Sequence, residues 1–323
     1  MVQRAAQARE ALARCELCPR ACGVNRLDNQ RGFCHTGRWA TVASATPHFG
    51  EEPGISGVRG SGTVFFGRCN LACSFCQNHP ISQPDASAED FPEADATRLA
   101  DLMLRLQDQG CHNINWVSPG HVTAQCVEAL VLARQQGLTL PVVYNSNGYD
   151  GLESLALLDG LVDVYLPDFK AMNPQECRRL WGAQDYPPRA MEALTEMHRQ
   201  VGDPVEDADG MVVSGLVVRH LVLPNDLSDT REVLTWIARN LGAGVYVSLM
   251  AQYFPTHRAL EDPLLSRGVS EAEYARALAT LDRLGFAGGW RQEPSAAQYY
   301  RPDFSCLKKP FADIDDFVDP GRK

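Results

Sequence analysis

Cys69, Cys73 and Cys76 follow one another as C-x3-C-x2-C, directly after the β-branched and aromatic run Val64-Phe65-Phe66 and Gly67. Thiolates hold iron–sulfur clusters, and a cluster draws several of them from one short loop. Three is one too few for a four-iron cluster held by protein alone, so one iron stays open to a ligand from outside. Two plainer readings stand beside this one. Free cysteine packs as a small hydrophobe, and His79, three residues after Cys76, can complete a zinc tetrahedron. A strand running straight into a cysteine loop fits a barrel enzyme better than a zinc knuckle.

A second set, Cys15, Cys18, Cys22 and Cys34, is spaced C-x2-C-x3-C-x11-C, with Pro19, Gly23 and Gly32 providing turns. Four thiolates close a complete site that suits zinc or a second iron–sulfur cluster. The alternative is a reduced, metal-free loop, although so short a polar segment has little core to hold it without a staple. Seven of the eleven cysteines fall in these two sets; Cys111, Cys126, Cys177 and Cys306 are expected to be packing residues. Without an export signal, so many cysteines indicate metal binding rather than disulfides.

The chain has 323 residues, 45% of them hydrophobic and 22% charged, enough for a large core. A net charge of −10 without a basic patch argues against nucleic acid. No apolar run approaches the roughly 20 residues of a membrane helix. Residues 2–14 read as an amphipathic helix lacking the apolar centre of a signal peptide. The expectation is a cytoplasmic protein with no membrane partner.

Positioning the thiols falls to a regular alternation. Residues 40–46 read as a strand pairing with 62–67. Beyond the cysteines, helix and strand patterns alternate: a helix at 95–110 with Leu99, Leu102, Met103 and Leu106 on one face, then strands near 112–119, 140–147, 161–170, 213–224 and 244–254. Helices separate them, including one long stretch at 173–201, and 202–210 reads as an exposed acidic loop. Six strands, each followed by helix, imply an α/β fold with a parallel sheet, two units short of a closed eight-unit barrel. In such folds the reacting groups sit at the C-terminal strand ends. His48, Glu51 and Glu52 lie in a turn-rich stretch just before the cysteine strand and read either as the mouth of the site or as solvated loop.

The stretch GSGTVFF…CNLACSFCQN…IS resembles the radical S-adenosylmethionine (SAM) superfamily, and within it the branch related to pyruvate formate-lyase activating enzymes. The resemblance covers residues 15 to about 255. It implies an open (β/α)6 partial TIM barrel over 58–293, with an N-terminal Cys-rich module at 1–57 and an irregular tail at 294–323. It also implies a [4Fe–4S] cluster on Cys69, Cys73 and Cys76, with Phe75 as the aromatic before the last cysteine. The open iron would chelate the amino and carboxylate groups of SAM, whose reductive cleavage gives a 5′-deoxyadenosyl radical that abstracts hydrogen from a substrate.

By the same resemblance, Ser118 takes the position of a Gly-Gly-Glu type segment that holds the SAM amino group, although the carboxylate is missing here. Asn147 matches a Thr-Asn-Gly segment that contacts SAM. Asp168 and Lys170 match an Asp-x-Lys segment in which the lysine pairs with the SAM carboxylate and the aspartate helps hold a monovalent cation. Arg219 lies on the family's arginine-bearing strand and is expected to bind a carboxylate; Gln252 and Tyr253, at the end of the sixth strand, face either substrate or core. Implied partners are SAM, an electron donor such as flavodoxin or ferredoxin, and a substrate that is either a glycine of a partner protein or a small molecule or peptide. No residue is singled out as the catalytic acid or base. The alternative from a different class is a non-catalytic iron–sulfur or zinc-binding scaffold.

Overall fold

A computed structural model describes residues 1–83, 91–293 and 296. The tail expected over 294–323, Cys306 included, lies outside the described residues apart from Ala296.

Helix α1 (Val2–Glu10) and a short 3-10 turn lead into the cysteine-rich stretch, which ends at β1 (Ala40–His48). Then come α2 (Pro53–Ser56), β2 (Ser61–Phe66), α3 (His79–Ser82) and β3 (Glu93–Ala94). The alternating region follows: α4 (Ala96–Asp108), β4 (Ile114–Val117), α5 (Thr123–Gln135), β5 (Val142–Asn145), α6 (Leu152–Leu158) and β6 (Val164–Tyr165). It continues with α7 (Pro174–Trp181), α8 (Tyr186–Val201), β7 (Val205–Glu206), β8 (Val212–Leu221), α9 (Thr230–Asn240), β9 (Tyr246–Met250), α10 (Glu271–Leu284) and β10 (Gly288–Arg291).

The strands form one open sheet in the order β10-β9-β8-β6-β5-β4-β2-β1-β3. Every pair from β2 to β10 along that path is parallel. At the other end β1 runs antiparallel to β2, pairing His48 with Ser61. Strands β2 and β5 are buried along their whole length, as continuous apolar strands covered on both faces must be. Helix α4 buries Leu99, Leu102, Met103 and Leu106, and Asp95 caps it by accepting from the Arg98 amide at 2.8 Å.

Three details differ from the sequence expectation. The helical stretch 173–201 is two helices, because Gly182 adopts φ +67 at the end of α7 and Pro187-Pro188 suits only a helix start. The acidic segment 202–210 contains β7, which folds back antiparallel on β8. A further parallel strand, β10, joins β9, although its sequence Gly-Gly-Trp-Arg has no strand pattern. Cys111, Cys126 and Cys177 are fully buried packing residues, as expected. Among the described residues no helix is long and apolar enough to cross a membrane.

Candidate active site

The cysteine loop leaves β2 at its C-terminal end through Arg68, a non-glycine residue at φ +69. The end of α7 holds the loop: the amides of Ala72 and Ser74 donate to the carbonyls of Trp181 (3.2 Å) and Leu180 (2.8 Å). From the other side Arg258 donates to the Ala72 carbonyl at 2.9 Å, and the Ala259 amide to that of Ser74 at 3.0 Å. The sulfurs also have polar neighbours. Asn147 Nδ2 and the Leu71 amide donate to Cys69 Sγ at 3.3 and 3.4 Å, and Ser82 Oγ lies 3.2 Å from Cys76 Sγ. Burial raises all three thiols above their ordinary range, Cys69 to about 11. Ligation to a cationic cluster reverses that, since a bound thiol is deprotonated.

Cys73 and Cys76 face one cavity together with Phe75, Asp168, Lys170, Trp181, Arg219, Met250 and Gln252. Phase by phase along the sheet, the C-terminal ends of β6, β8 and β9 supply its wall, as the fold requires. Phe75 packs edge-on against Trp181 and Tyr253 at ring separations of 5.9 and 5.5 Å. Tyr253 is core, donating its hydroxyl to the Leu265 carbonyl at 2.6 Å. Lys170 Nζ meets Asp168 Oδ2 at 2.5 Å. Burial opposes the ammonium charge, but Asp168 and the nearby thiols outweigh it and raise Lys170 above its ordinary value. Trp181 Nε1 has no hydrogen-bond partner among the described residues, leaving a buried donor beside the cavity. A charged, hydrogen-bonding ligand such as SAM fits a wall of ammonium, carboxylate, aromatic ring and indole donor, and the three thiols fit a cluster with one open iron.

Other expected contacts are placed differently. Asn147 does not line this cavity; its amide is spent on Cys69 Sγ and, at 2.8 Å, on Asn70 Oδ1. Ser118, at φ +55, does not line it either. His79, the fourth zinc ligand of the plainer reading, stacks on His257 at 4.9 Å. His220 is buried and structural, its ring nitrogens 2.7 Å from the Phe169 carbonyl and 2.9 Å from the Thr230 hydroxyl.

Arg219 lines this cavity and is also engaged from within the chain. Its guanidinium already has carboxylates of this chain: Glu52 Oε1 at 2.9 Å and Glu51 Oε2 at 3.7 Å. Neither glutamate is a solvated loop residue. Because β1 runs antiparallel to β2, the chain after His48 emerges at the N-terminal end of the barrel. There α2 enters as a plug, with Ile55 packed among Val143, Val164, Leu166 and Val217. Glu51 Oε1 accepts from Asn115 and Asn145 at 3.2 and 3.3 Å. Burial raises the Glu51 carboxyl to about 7 despite the opposing pull of Arg219. The sequence carried one signal for this plug: Pro53 opens a helical turn right after the two acids.

The N-terminal thiols also converge. Cys15, Cys18, Cys22 and Cys34 line one small cavity with Arg20, Arg26, Gly120 and His121, the last two just after β4. Burial raises Cys18 to about 12, and the neighbouring Cys34, Cys15 and Cys22 thiols add to the shift. Among the described residues no three or more His, Cys, Asp or Glu side chains form a group that could hold a metal ion as they stand. Cys73 and Cys76 of the barrel set, and all four N-terminal thiols, border a cavity.

The likeness to known proteins follows this geometry. A curated protein of Methanocaldococcus jannaschii, uncharacterized protein MJ0674, is 32% identical over 279 residues, covering 84% of this chain and 75% of that one. The crystal structure of HydG, a maturase of the [FeFe]-hydrogenase, aligns at TM-score 0.50 and 12% identity over 92% of this chain and 65% of that chain. This chain therefore spans less than two thirds of HydG, and the likeness concerns the fold alone. Methylornithine synthase (PylB) aligns at TM-score 0.49 and 13% identity, over 98% of this chain and 85% of that one. The family model of the radical SAM superfamily matches residues 63–234, more than half of the chain and the whole cysteine loop, and the chain belongs to that superfamily.

Proposed function

We propose that the cavity beside Cys73 and Cys76 binds SAM and that the enzyme abstracts hydrogen from a substrate in the manner of the activating-enzyme branch. One observation carries this reading: thiols, the Lys170–Asp168 pair and an aromatic wall face the same cavity at the C-terminal ends of the barrel strands. The [4Fe–4S] cluster, when bound, supplies the electron that cleaves SAM reductively. Lys170 holds the SAM carboxylate, and Asp168 keeps that ammonium in place and charged. Phe75 and Trp181, with Tyr253 packed behind Phe75, exclude water from the reacting end. Asn147 donates to Cys69 Sγ and Ser82 hydrogen-bonds with Cys76 Sγ, and the two position those sulfurs.

In this reading residues 1–57 are a metal-binding module docked on the barrel of 58–293. A monovalent cation at Asp168 competes with Lys170 for the same carboxylate, so the lysine role is preferred. The electron donor is of the flavodoxin or ferredoxin class, and the substrate is a glycine of a partner protein or a small molecule or peptide.

The experiment is anaerobic reconstitution with iron and sulfide, reduction, and chromatography of the SAM products. 5′-Deoxyadenosine is expected. Intact SAM in protein carrying a full, reducible cluster would favour the scaffold reading instead.

A further inference from the structure

We propose that Cys15, Cys18, Cys22 and Cys34 hold an auxiliary four-iron cluster that relays single electrons to the cluster on Cys69, Cys73 and Cys76. The relay rests on the proposed function; the auxiliary cluster itself does not.

The first ground is charge. Arg20 and Arg26 both border the cysteine cavity, and Arg26 is 1% exposed. Arg26 donates to the carbonyls of Gly37 (2.9 Å) and His121 (2.8 Å) and lies 3.6 Å from Cys15 Sγ. Arg20 donates to the carbonyls of Asn70 (3.0 Å) and Gly182 (2.8 Å). All these partners are neutral. The buried Nη2 of each arginine has no hydrogen-bond partner among the described residues. Two orphaned guanidinium donors at one small cavity call for an anion, because buried charge requires compensation. Four thiolates around a dicationic metal core carry a net charge of about −2 and supply that anion.

Charge does not separate zinc from iron–sulfur; the donors aimed at sulfur and the connection to the barrel loop favour the cluster. The four thiols line one small cavity, as Cys73 and Cys76 line the larger one. The Phe33 amide donates to Cys22 Sγ at 3.4 Å, and Arg26 points Nη1 at Cys15 Sγ. Such donors to sulfur set the potential of an iron–sulfur cluster.

Connection is the second ground. Cys22 is exposed while Cys15 is buried, so the site reaches from the surface inward. Arg20, on the cavity wall, donates to the carbonyl of Asn70, the residue next to Cys69. Asn70 in turn accepts from Asn147, whose amide also reaches Cys69 Sγ. A hydrogen-bonded path therefore links the wall of the N-terminal cavity to Cys69, which a structural staple does not need. In the relay step a reduced donor of the flavodoxin or ferredoxin class gives one electron to the auxiliary cluster. That electron passes to the barrel cluster; no bond forms or breaks and no proton moves.

Two measurements test this. The full chain carrying Cys69→Ala, Cys73→Ala and Cys76→Ala, reconstituted anaerobically, is expected to hold about four iron and four sulfide per chain. One zinc without sulfide, or no metal, overturns the cluster. In that variant Arg26→Gln is expected to lower the midpoint potential of the remaining cluster, because a buried cation beside it favours the reduced form; an unchanged potential overturns the assigned site. For the relay, Cys18→Ser/Cys22→Ser protein is reduced either by dithionite or by flavodoxin hydroquinone. The barrel cluster should reach the wild-type spin intensity with dithionite but lose the fast phase of reduction with flavodoxin. A retained fast phase overturns the relay. Wild-type protein with both clusters reduced and SAM uncleaved would defeat the proposed function while the metal counts stand.

Discussion

Nε of Arg219 lies 2.9 Å from Oε1 of Glu52, a buried ion pair between the inside of β8 and the helical plug that closes the N-terminal end of the barrel. Both side chains are largely withdrawn from water, at 14% and 4% exposure. Glu52→Gln leaves the guanidinium short of an anion and should destabilise the fold by about 3–5 kcal/mol. Glu52→Gln/Arg219→Met should recover part of that loss. Urea unfolding of the two variants checks this, and a single variant as stable as wild type would remove the pair from the fold's energetics.

Glu51, beside the same arginine, gives a pH signature. Its folded value of about 7 lies above the ordinary 4.5, chiefly through burial. The native state therefore binds the extra proton between those values, and stability falls as pH rises through that window. Glu51→Gln should flatten the slope by up to about 1.4 kcal/mol per pH unit. Buried His48, His121 and His220, all lowered to about 4, act in the opposite sense below their ordinary 6.5, so variant and wild type are compared at each pH. Parallel stability curves would return Glu51 to an ordinary carboxylate.

Replacing any of Cys69, Cys73 and Cys76 with Ala should abolish formation of 5′-deoxyadenosine. Cys73→Ala serves as the test case, that thiol being one of the two that line the cavity. Persistent turnover in it would exclude the loop as the catalytic cluster site.

Lys170→Met should raise the SAM dissociation constant with iron content unchanged, a lost charged hydrogen bond costing about 1.5–3 kcal/mol. Equilibrium dialysis with labelled SAM reads the change. Equal affinity in the variant would reduce the Lys170–Asp168 contact to a plain ion pair.

Gly148→Ala probes the seam between β5 and β6. A Cβ there would lie 2.1 Å from the Asp168 carbonyl oxygen and 2.8 Å from the Tyr186 hydroxyl, and the backbone sits at φ +77. Tyr186 Oη bonds the carbonyls of both Asn147 and Asp168. The substitution should cost at least about 1 kcal/mol in left-handed strain alone and weaken SAM binding with it. A variant equal to wild type in both would show that the seam yields freely.

The sequence by itself determined what local spacing decides. The C-x3-C-x2-C loop after an apolar strand marked the candidate cluster thiols, the alternation gave six parallel strands with their helices, and Asp95 marked a helix start. Tertiary structure decided the rest. Gly-Gly-Trp-Arg becomes β10 only because the edge of β9 offers unpaired backbone groups, for which side-chain pattern carries no signal. Glu51 and Glu52 read either as the mouth of the site or as solvated loop because their neighbours are turn residues; the antiparallel pairing of β1 with β2 carries them inside and gives them to Arg219. Asn147 carries the right type for a SAM contact, yet the turn at Gly148 directs its amide to Cys69. Adjacency of Arg20 to Asn70, across 50 residues of chain, exists only once the cysteine module packs on the barrel. Spacing along a chain fixes which side chains one loop can gather, whereas contacts between distant segments are set by how the whole sheet pairs.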